Sequence, residues 1–350
     1  MTALGPIRVE RSHGYCRACG QPEFAADRLV GLDGWLTPRA RRMACLAGIH
    51  DPFRKAERVL DERAGWSVAA ETLRRHCQAE AAAARAQRGQ RAASPGQFAR
   101  AGGDRELHID AGKVNTPDGW RDVKVAVFAA RGRGRPATAD DYEQRDLPAP
   151  RARAVVAEVE EAQAFGQRCQ AEAERLGVSA GELSILGDGA EWIWNLAEDR
   201  FRGAVQVLDL YHAAEHLAAA ARQAFGEGAA LAAWLAGARR QLLGDGYAGV
   251  CAALAEPVAA EEARRRLDAA AAEALNYFCG HQGRLGYAVR LRRGQAIGSG
   301  MVEGAIKQRV NVRMKRSGAR WLAEHAGPFV ELAALADSAE WDEYWASLAA

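Results

Sequence analysis

Residues 107–130 read LHIDAGKVNTPDGWRDVKVAVFAA. Two runs rich in β-branched residues, 107–114 and 120–130, flank Pro117-Asp118-Gly119, and a turn of that composition between such runs predicts an antiparallel β-hairpin. Arg131-Gly-Arg-Gly-Arg135 ends it, and Asp110 closes the strand-like run Leu-His-Ile-Asp. Downstream, residues 149–176 read as helix, 182–186 as a short apolar strand, Trp192 and Trp194 as part of a helical turn, and 204–208 as another strand. Strands interleaved with helices in this order predict an α/β fold. Beyond Tyr211 the pattern is helical to the terminus, with breaks at Gly226, 244–246, Pro257, 280–286 and 294–300. Upstream, residues 1–30 are irregular, 38–86 have helical spacing interrupted at 64–66, and the polar stretch 87–104 reads as a linker. Three parts are therefore expected: 1–30, a helical module with its linker over 31–104, and an α/β domain over 105–350 carrying a helical insertion at about 211–297.

With 350 residues and 49% hydrophobic composition, the chain is long enough for two domains and a large core. No uncharged apolar run reaches membrane-spanning length, and the N-terminus lacks the basic-then-apolar order of a signal peptide. Seven thinly spread cysteines do not resemble the framework of a small secreted domain. A protein of the cell interior, without a membrane partner, is expected.

Net charge is only +2, but the charge is unevenly distributed. Residues 276–320 carry ten basic groups against one acid, Glu303, whereas the last thirty residues carry six acids and no Lys or Arg. Lys307, Arg309, Arg313, Lys315, Arg316 and Arg320 form the basic run downstream of Glu303, on what reads as a single helix. Such a run suits polyanions, since phosphate contacts supply most nonspecific nucleic-acid affinity. A solvated basic face is the ordinary alternative.

Three acids stand at positions where metal-dependent phosphoryl transfer would place them: Asp110 at a strand end, Asp188 at a strand-to-loop junction, and Glu303 opening a helix after Gly298-Ser-Gly. Hard divalent cations such as Mg²⁺ or Mn²⁺ take oxygen ligands and keep positions open for substrate phosphates. Two such ions roughly 4 Å apart activate the attacking oxygen and stabilise the leaving one. Asp110 is expected to bridge both, with Asp188 and Glu303 holding one each. Each acid also has an ordinary role: Asp110 closing a strand, Asp188 with Gly189 making a tight turn, and Glu303 stabilising its own helix N-terminus.

Five ordered blocks resemble a known family. They are His108-Ile-Asp-Ala-Gly-Lys-Val-Asn-Thr-Pro-Asp-Gly-Trp-Arg-Asp-Val-Lys-Val125, Leu186-Gly-Asp-Gly-Ala-Glu-Trp-Ile-Trp194, Leu208-Asp-Leu-Tyr-His-Ala-Ala-Glu-His216, Ile297-Gly-Ser-Gly-Met-Val-Glu-Gly304 and Arg316-Ser-Gly-Ala-Arg-Trp321. In their order and spacing they resemble insertion-sequence transposases of the ISKra family, over most of the chain. The resemblance implies a DDE-type transposase with a ribonuclease H-like catalytic domain and Asp110, Asp188 and Glu303 as metal-binding acids. It also implies double-stranded DNA as partner, both element ends and target, bound by a homodimer or higher oligomer associated with the bacterial nucleoid.

Asp209-Leu-Tyr-His212 resembles a motif downstream of the second catalytic acid in Mutator-like transposases. Asp209 and His212, with Trp192 beside Asp188, are expected to support the site or position DNA; Asp209 as a helix N-cap and His212 and Trp192 as packing residues are the alternatives. Residues 51–83 have the layout of a helix-turn-helix, whose second helix bears Glu71, Arg74, Arg75 and His76; Arg74 and Arg75 are candidate DNA contacts, and an ordinary helical hairpin has the same spacing. Cys16-Arg-Ala-Cys19 has the spacing of half a zinc site. In the family the corresponding pair is the second of two, so the chain is expected to begin inside a zinc ribbon, with His13 and Cys45 as other candidate ligands and isolated reduced thiols as the alternative. Two further functions stand beside the transposase: a transposase-derived DNA-binding protein without strand-transfer activity, and a host nuclease of the same fold.

Overall fold

The computed structural model describes residues 1–350 apart from 4, 9, 11–13, 16, 21, 24–26, 28–31, 33–34, 259 and 349–350. It shows a mixed α/β fold. Strands β1 (Gly14–Tyr15) and β2 (Pro22–Glu23) make a small antiparallel pair, and β3 (Asp104–Thr116), β4 (Gly119–Arg131), β5 (Ala152–Glu158), β6 (Leu183–Gly187) and β7 (Val205–Leu208) form the main sheet. Its order is β5-β4-β3-β6-β7. The pairs β3–β4 and β4–β5 are antiparallel, while β3–β6 and β6–β7 are parallel.

The expected hairpin is present and longer than its composition suggests, pairing from Asp104 with Arg131 to Thr116 with Gly119. Alternation sorts its side chains onto two cores. Leu107, Ile109, Ala126 and Phe128 face one cluster, and Val114, Val123, Val125 and Val127 face the other. Each fully buried Phe or Ile contributes about 1.5–3 kcal/mol of transfer free energy, so the hairpin anchors both layers.

Fourteen α-helices lie among the described residues. Helices α1 (Pro38–His50), α2 (Phe53–Ala64) and α3 (Ala70–Ala86) match the expected helical stretch. Thr37 accepts the Ala40 N–H at 3.4 Å and Pro38 opens α1, a favourable helix start. Residues 87–104, read as a linker, hold a 3₁₀ turn, Arg88–Gln90, and α4 (Ala93–Arg100), whose Phe98 is buried in the main core. A second difference is β5, which falls inside a stretch expected to be helical. Its sequence ARAVVAE is helix-compatible, and it is covered on both faces by the two cores, so it shows no alternation.

Helix α5 (Ala162–Leu176) and α6 (Glu191–Arg200) follow β5 and β6. After β7 come α7 (Leu210–Phe225), α8 (Ala229–Asp245), α9 (Tyr247–Ala255), α10 (Glu261–Gly280) and α11 (Tyr287–Arg292), an all-helical block where one was expected. The last elements are α12 (Gly300–Ala305), a π-helical turn Ile306–Val312, α13 (Ala323–Ala336) and α14 (Glu340–Ser347). No helix among the described residues is long and apolar enough to cross a membrane.

Candidate active site

Register places three aspartates side by side. The β3–β6 pairing ends with Ile109 opposite Gly187, and the β6–β7 pairing ends with Gly187 opposite Leu208. The next residue on each strand is Asp110, Asp188 and Asp209, at the carboxyl edge of the parallel strands, where open α/β sheets gather ligands. Glu303 reaches the same edge from α12. Its helix lies on the sheet face that carries Asp110: Val302 and Ile306 pack with Val123 and Val125, and Val125 is the partner of Asp110 across the hairpin. Gly112, two residues beyond Asp110, permits that approach, since a Cβ there would stand 2.9 Å from Ile306 Cγ2 and 3.0 Å from Val310 Cγ1.

Asp110, Asp188, Asp209, Tyr211, His212, Glu215, Ser299 and Glu303 line one pocket of about 170 Å³. Among these lining residues only His212 can carry positive charge. Asp110 is half-buried, and burial pushes its carboxyl up to about 6. The Ala111 N–H, donating at 2.6 Å, works against that rise, and the charges of Asp188 and Glu303 add to it. Crowded carboxylates without a compensating Lys or Arg, all offering hard oxygens, are a donor set that fits a divalent cation. Among the described residues no group of three or more His, Cys, Asp or Glu is gathered tightly enough to hold an ion as it stands.

Asp188 does make the local turn of its ordinary role, accepting the Ala190 N–H at 3.0 Å. Gly189, with φ +102°, allows the chain to pass beneath Tyr277; a Cβ there would lie 2.5 Å from the Tyr277 hydroxyl oxygen. That hydroxyl donates to the Asp188 carbonyl at 3.4 Å. Tyr277 stacks on His216 at 3.6 Å, and burial, with the nearby charges of Asp188 and Asp209, raises its pKa. Burial lowers that of His216, and neighbouring His212 lowers it further. Tyr277 comes from the inserted helix α10, and no local pattern in the sequence marks it.

Asp209 is buried and fully engaged with the protein. Its Oδ1 accepts the His212 N–H at 2.8 Å, capping α7, and its Oδ2 accepts the Ser299 N–H at 2.5 Å and the Ser299 hydroxyl at 3.0 Å. The capping alternative for Asp209 is therefore what the structure shows, and the same carboxylate also fastens the loop before Glu303. Ser299, absent from the candidates drawn from sequence although it sits inside Gly298-Ser-Gly, also lies 3.0 Å from Glu303 Oε1. One hydroxyl proton serves only one of these two carboxylates at a time. His212 is half-exposed, 3.4 Å from Glu215.

Other candidates fall elsewhere. Trp192 packs edge-on to Phe165 at 6.2 Å, with the Lys124 ammonium 5.5 Å over its ring, and does not line the pocket. Arg74 is bound to Glu71 at 2.8 Å and to Gln78 at 2.6 Å, and Arg75 stands 3.9 Å from Glu71. Helix α3 buries Leu73, Cys77, Glu80, Ala81 and Ala84, while its exposed positions after Arg75 are alanines. The basic run is not one helix, and two of its members are corrected: Arg309 and Arg313 are 8% and 6% exposed. Arg309 pairs with Asp337 at 2.6 Å. Arg313 donates twice to the Gly48 carbonyl and lies over the rings of Phe53, Trp321 and Phe329; burial lowers its pKa to about 10. Helical periodicity turned these two inward, where the Asp337 carboxylate takes the place of phosphate for Arg309, and aromatic faces and a carbonyl do so for Arg313. Lys307, Lys315, Arg316 and Arg320 remain exposed. Cys16 and His13 lie outside the described residues, Cys19 is exposed, and Cys45 is buried beside Cys77 in the core. No family model matches the chain, and no curated protein is found to be similar to it.

Proposed function

We propose that the chain is a metal-dependent DNA transposase of the DDE type with a ribonuclease H-like catalytic domain, as its resemblance to ISKra-family insertion-sequence transposases implies. The observation that carries this reading is the convergence of Asp110, Asp188 and Glu303, far apart in sequence, on one acidic pocket at the carboxyl edge of β3 and β6. The strand order, three antiparallel strands followed by two parallel to the first, supports the fold assignment. Asp110, Asp188 and Glu303 would hold two Mg²⁺ or Mn²⁺ ions, whose chemistry is to activate an attacking water or 3′ hydroxyl and to stabilise the leaving oxygen. Asp209 and Ser299 aim Glu303, and His212 offers a proton or a positive charge to a phosphate at the pocket. The reaction is hydrolysis of a phosphodiester at an element end, followed by attack of the freed 3′ hydroxyl on target DNA.

Cleavage of plasmid DNA carrying the sequence that flanks the gene, in Mg²⁺ or Mn²⁺, tests this beside a binding titration. Asp188→Asn keeps the shape and loses the charge, so cleavage should fall at least about a thousandfold while affinity changes less than about twofold. Cutting by the variant at the wild-type rate would remove the assigned site.

A further inference from the structure

The β3–β4 hairpin outruns its sheet. β6 pairs with β3 only as far as Ile109, and β5 pairs with β4 only from Lys124 onward, yet the hairpin continues to Thr116 opposite Gly119. Six residues beyond Asp110, at about 3.3 Å each, make a two-stranded ribbon roughly 20 Å long. A free ribbon is marginal in water, and this one is held on one face by α12 and the π-helical turn through Val114, Val123, Ile306 and Val310. Its other face, by alternation and register, presents Lys113, Asn115, Trp120 and Asp122. Lys113 and Asp122 neutralise each other at 2.9 Å. Trp120 is 55% exposed.

The segment after the π-helical turn wraps the ribbon's end. Met314 and Trp321 are buried anchors on either side of it. The Trp321 N–H donates to the Asn115 carbonyl at 2.8 Å, and the Asn115 amide donates to the Ala319 carbonyl at 3.3 Å. Between those anchors Lys315, Arg316 and Arg320 are exposed, and the Lys315 ammonium stands 5.6 Å over the Trp120 ring. Lys315, Arg316 and Arg320 form no ion pair among the described residues.

We infer that this tip is a DNA-binding arm that takes DNA with unpaired bases beside a duplex, a base stacking on Trp120 and the neighbouring phosphates lying on Lys315, Arg316 and Arg320. A two-stranded ribbon has the width a major groove admits. An exposed indole offers a flat face to any unstacked base, and cations without acidic partners suit the backbone on either side. This deepens the transposase reading and rests on it: strand cleavage at the Asp110 pocket exposes unpaired ends, and the ribbon begins at that pocket.

The test measures binding of the full-length protein to a fluorescent 30-base-pair duplex, to the same duplex with a four-base single-stranded end, and to an RNA copy of that end, with cleavage in Mg²⁺ and Mn²⁺ run in parallel. Trp120→Ala should lose about 5- to 50-fold on the single-stranded-end DNA and less than about twofold on the intact duplex, and Trp120→Phe should stay within about threefold on both. Replacing Lys315, Arg316 and Arg320 by Ala should weaken both DNAs and lower the slope of log affinity against log salt by about 2–3. Wild-type affinity of Trp120→Ala for both DNAs, an equal loss in Trp120→Phe, or a loss confined to the RNA overturns the inference. If the wild-type protein cuts no DNA but the Trp120 pattern holds, the arm stands and the transposase reading fails. If it cuts normally and Trp120→Ala binds normally, only the arm fails.

Discussion

Asp110 and Asp209 flank Asp188 at the same level of the sheet, yet their surroundings oppose each other. Asp209 has three donors on its two oxygens, whereas Asp110 has one backbone donor and two neighbouring carboxylates. The first carboxylate is spent on the fold; the second is left with capacity for a cation. Removing Asp209 takes away a helix cap and leaves the Ser299 N–H buried without a partner. Asp209→Ala should therefore destabilise the protein by about 2–4 kcal/mol, read from urea unfolding. Unchanged stability would mean that Asp209 is not the clamp between α7 and the Glu303 loop.

Glu303 depends on how closely its helix approaches β3, and Gly112 sets that distance. A side chain at Gly112 meets Ile306 and Val310, both in the packed core, so neither neighbour has room to give way. Gly112→Val should cost about 1–3 kcal/mol and lift α12 from the sheet, lowering cleavage more than DNA affinity. Thermal unfolding and a cleavage assay read the two effects separately, and full cleavage by a destabilised variant would show that Glu303 is not held through this contact. The same packing explains Arg309 and Arg313: the turn that brings Val310 onto Gly112 also rotates both guanidiniums inward, leaving Lys307, Lys315, Arg316 and Arg320 outside.

Across the whole molecule, the N-terminal helices are joined to the sheet and the C-terminal helices by buried ion pairs. Arg88 binds Glu172 at 2.8 Å, Arg91 binds Glu340 at 2.9 Å, and Arg175 reaches Glu172 and Glu340 at 2.8 and 3.0 Å. Arg85 bonds Glu331 at 2.8 Å and also Glu158, and Glu331 in turn accepts the Ala157 N–H of β5 at 3.0 Å. Burial by itself would raise the carboxyls of Glu172 and Glu340, but Arg88 acting on Glu172, Arg91 on Glu340, and Arg175 on both hold each below the ordinary glutamate value. A depressed folded pKa contributes stability that is complete above the unfolded value, about 4.3, and is lost as pH falls through the folded values. The part of the urea-midpoint profile set by these two glutamates should accordingly be constant above about pH 5 and fall below about pH 4. In Glu172→Gln the acid-side fall should be shallower, and an equally steep fall in that variant would take Glu172 out of the linkage.

The hairpin at 107–130, the short strands before Asp188 and Asp209, and the helical block after Tyr211 were legible because each is written in local terms: β-branched runs, a Pro-Asp-Gly turn and glycine breaks. Asp188 and Glu303 could be named from their places at element ends, whereas Asp110, read as closing a strand, lies in the middle of β3, where only the end of β6 beside it opens the edge. β5 was not legible, because a strand covered on both faces loses the period of two that would separate ARAVVAE from helix. The packing of residues 87–104 against the body was hidden for a related reason: their polar side chains find buried partners such as Glu172 and Glu340 only after folding. Tertiary structure alone decided the rest. It turned Arg309 and Arg313 into core residues, set Ser299 between Asp209 and Glu303, brought Tyr277 against Asp188, and extended the hairpin past its sheet with Trp120 at the end. Local sequence specifies which backbone a segment prefers, whereas a side chain's role depends on neighbours that lie far off in the chain and meet it only when the layers pack.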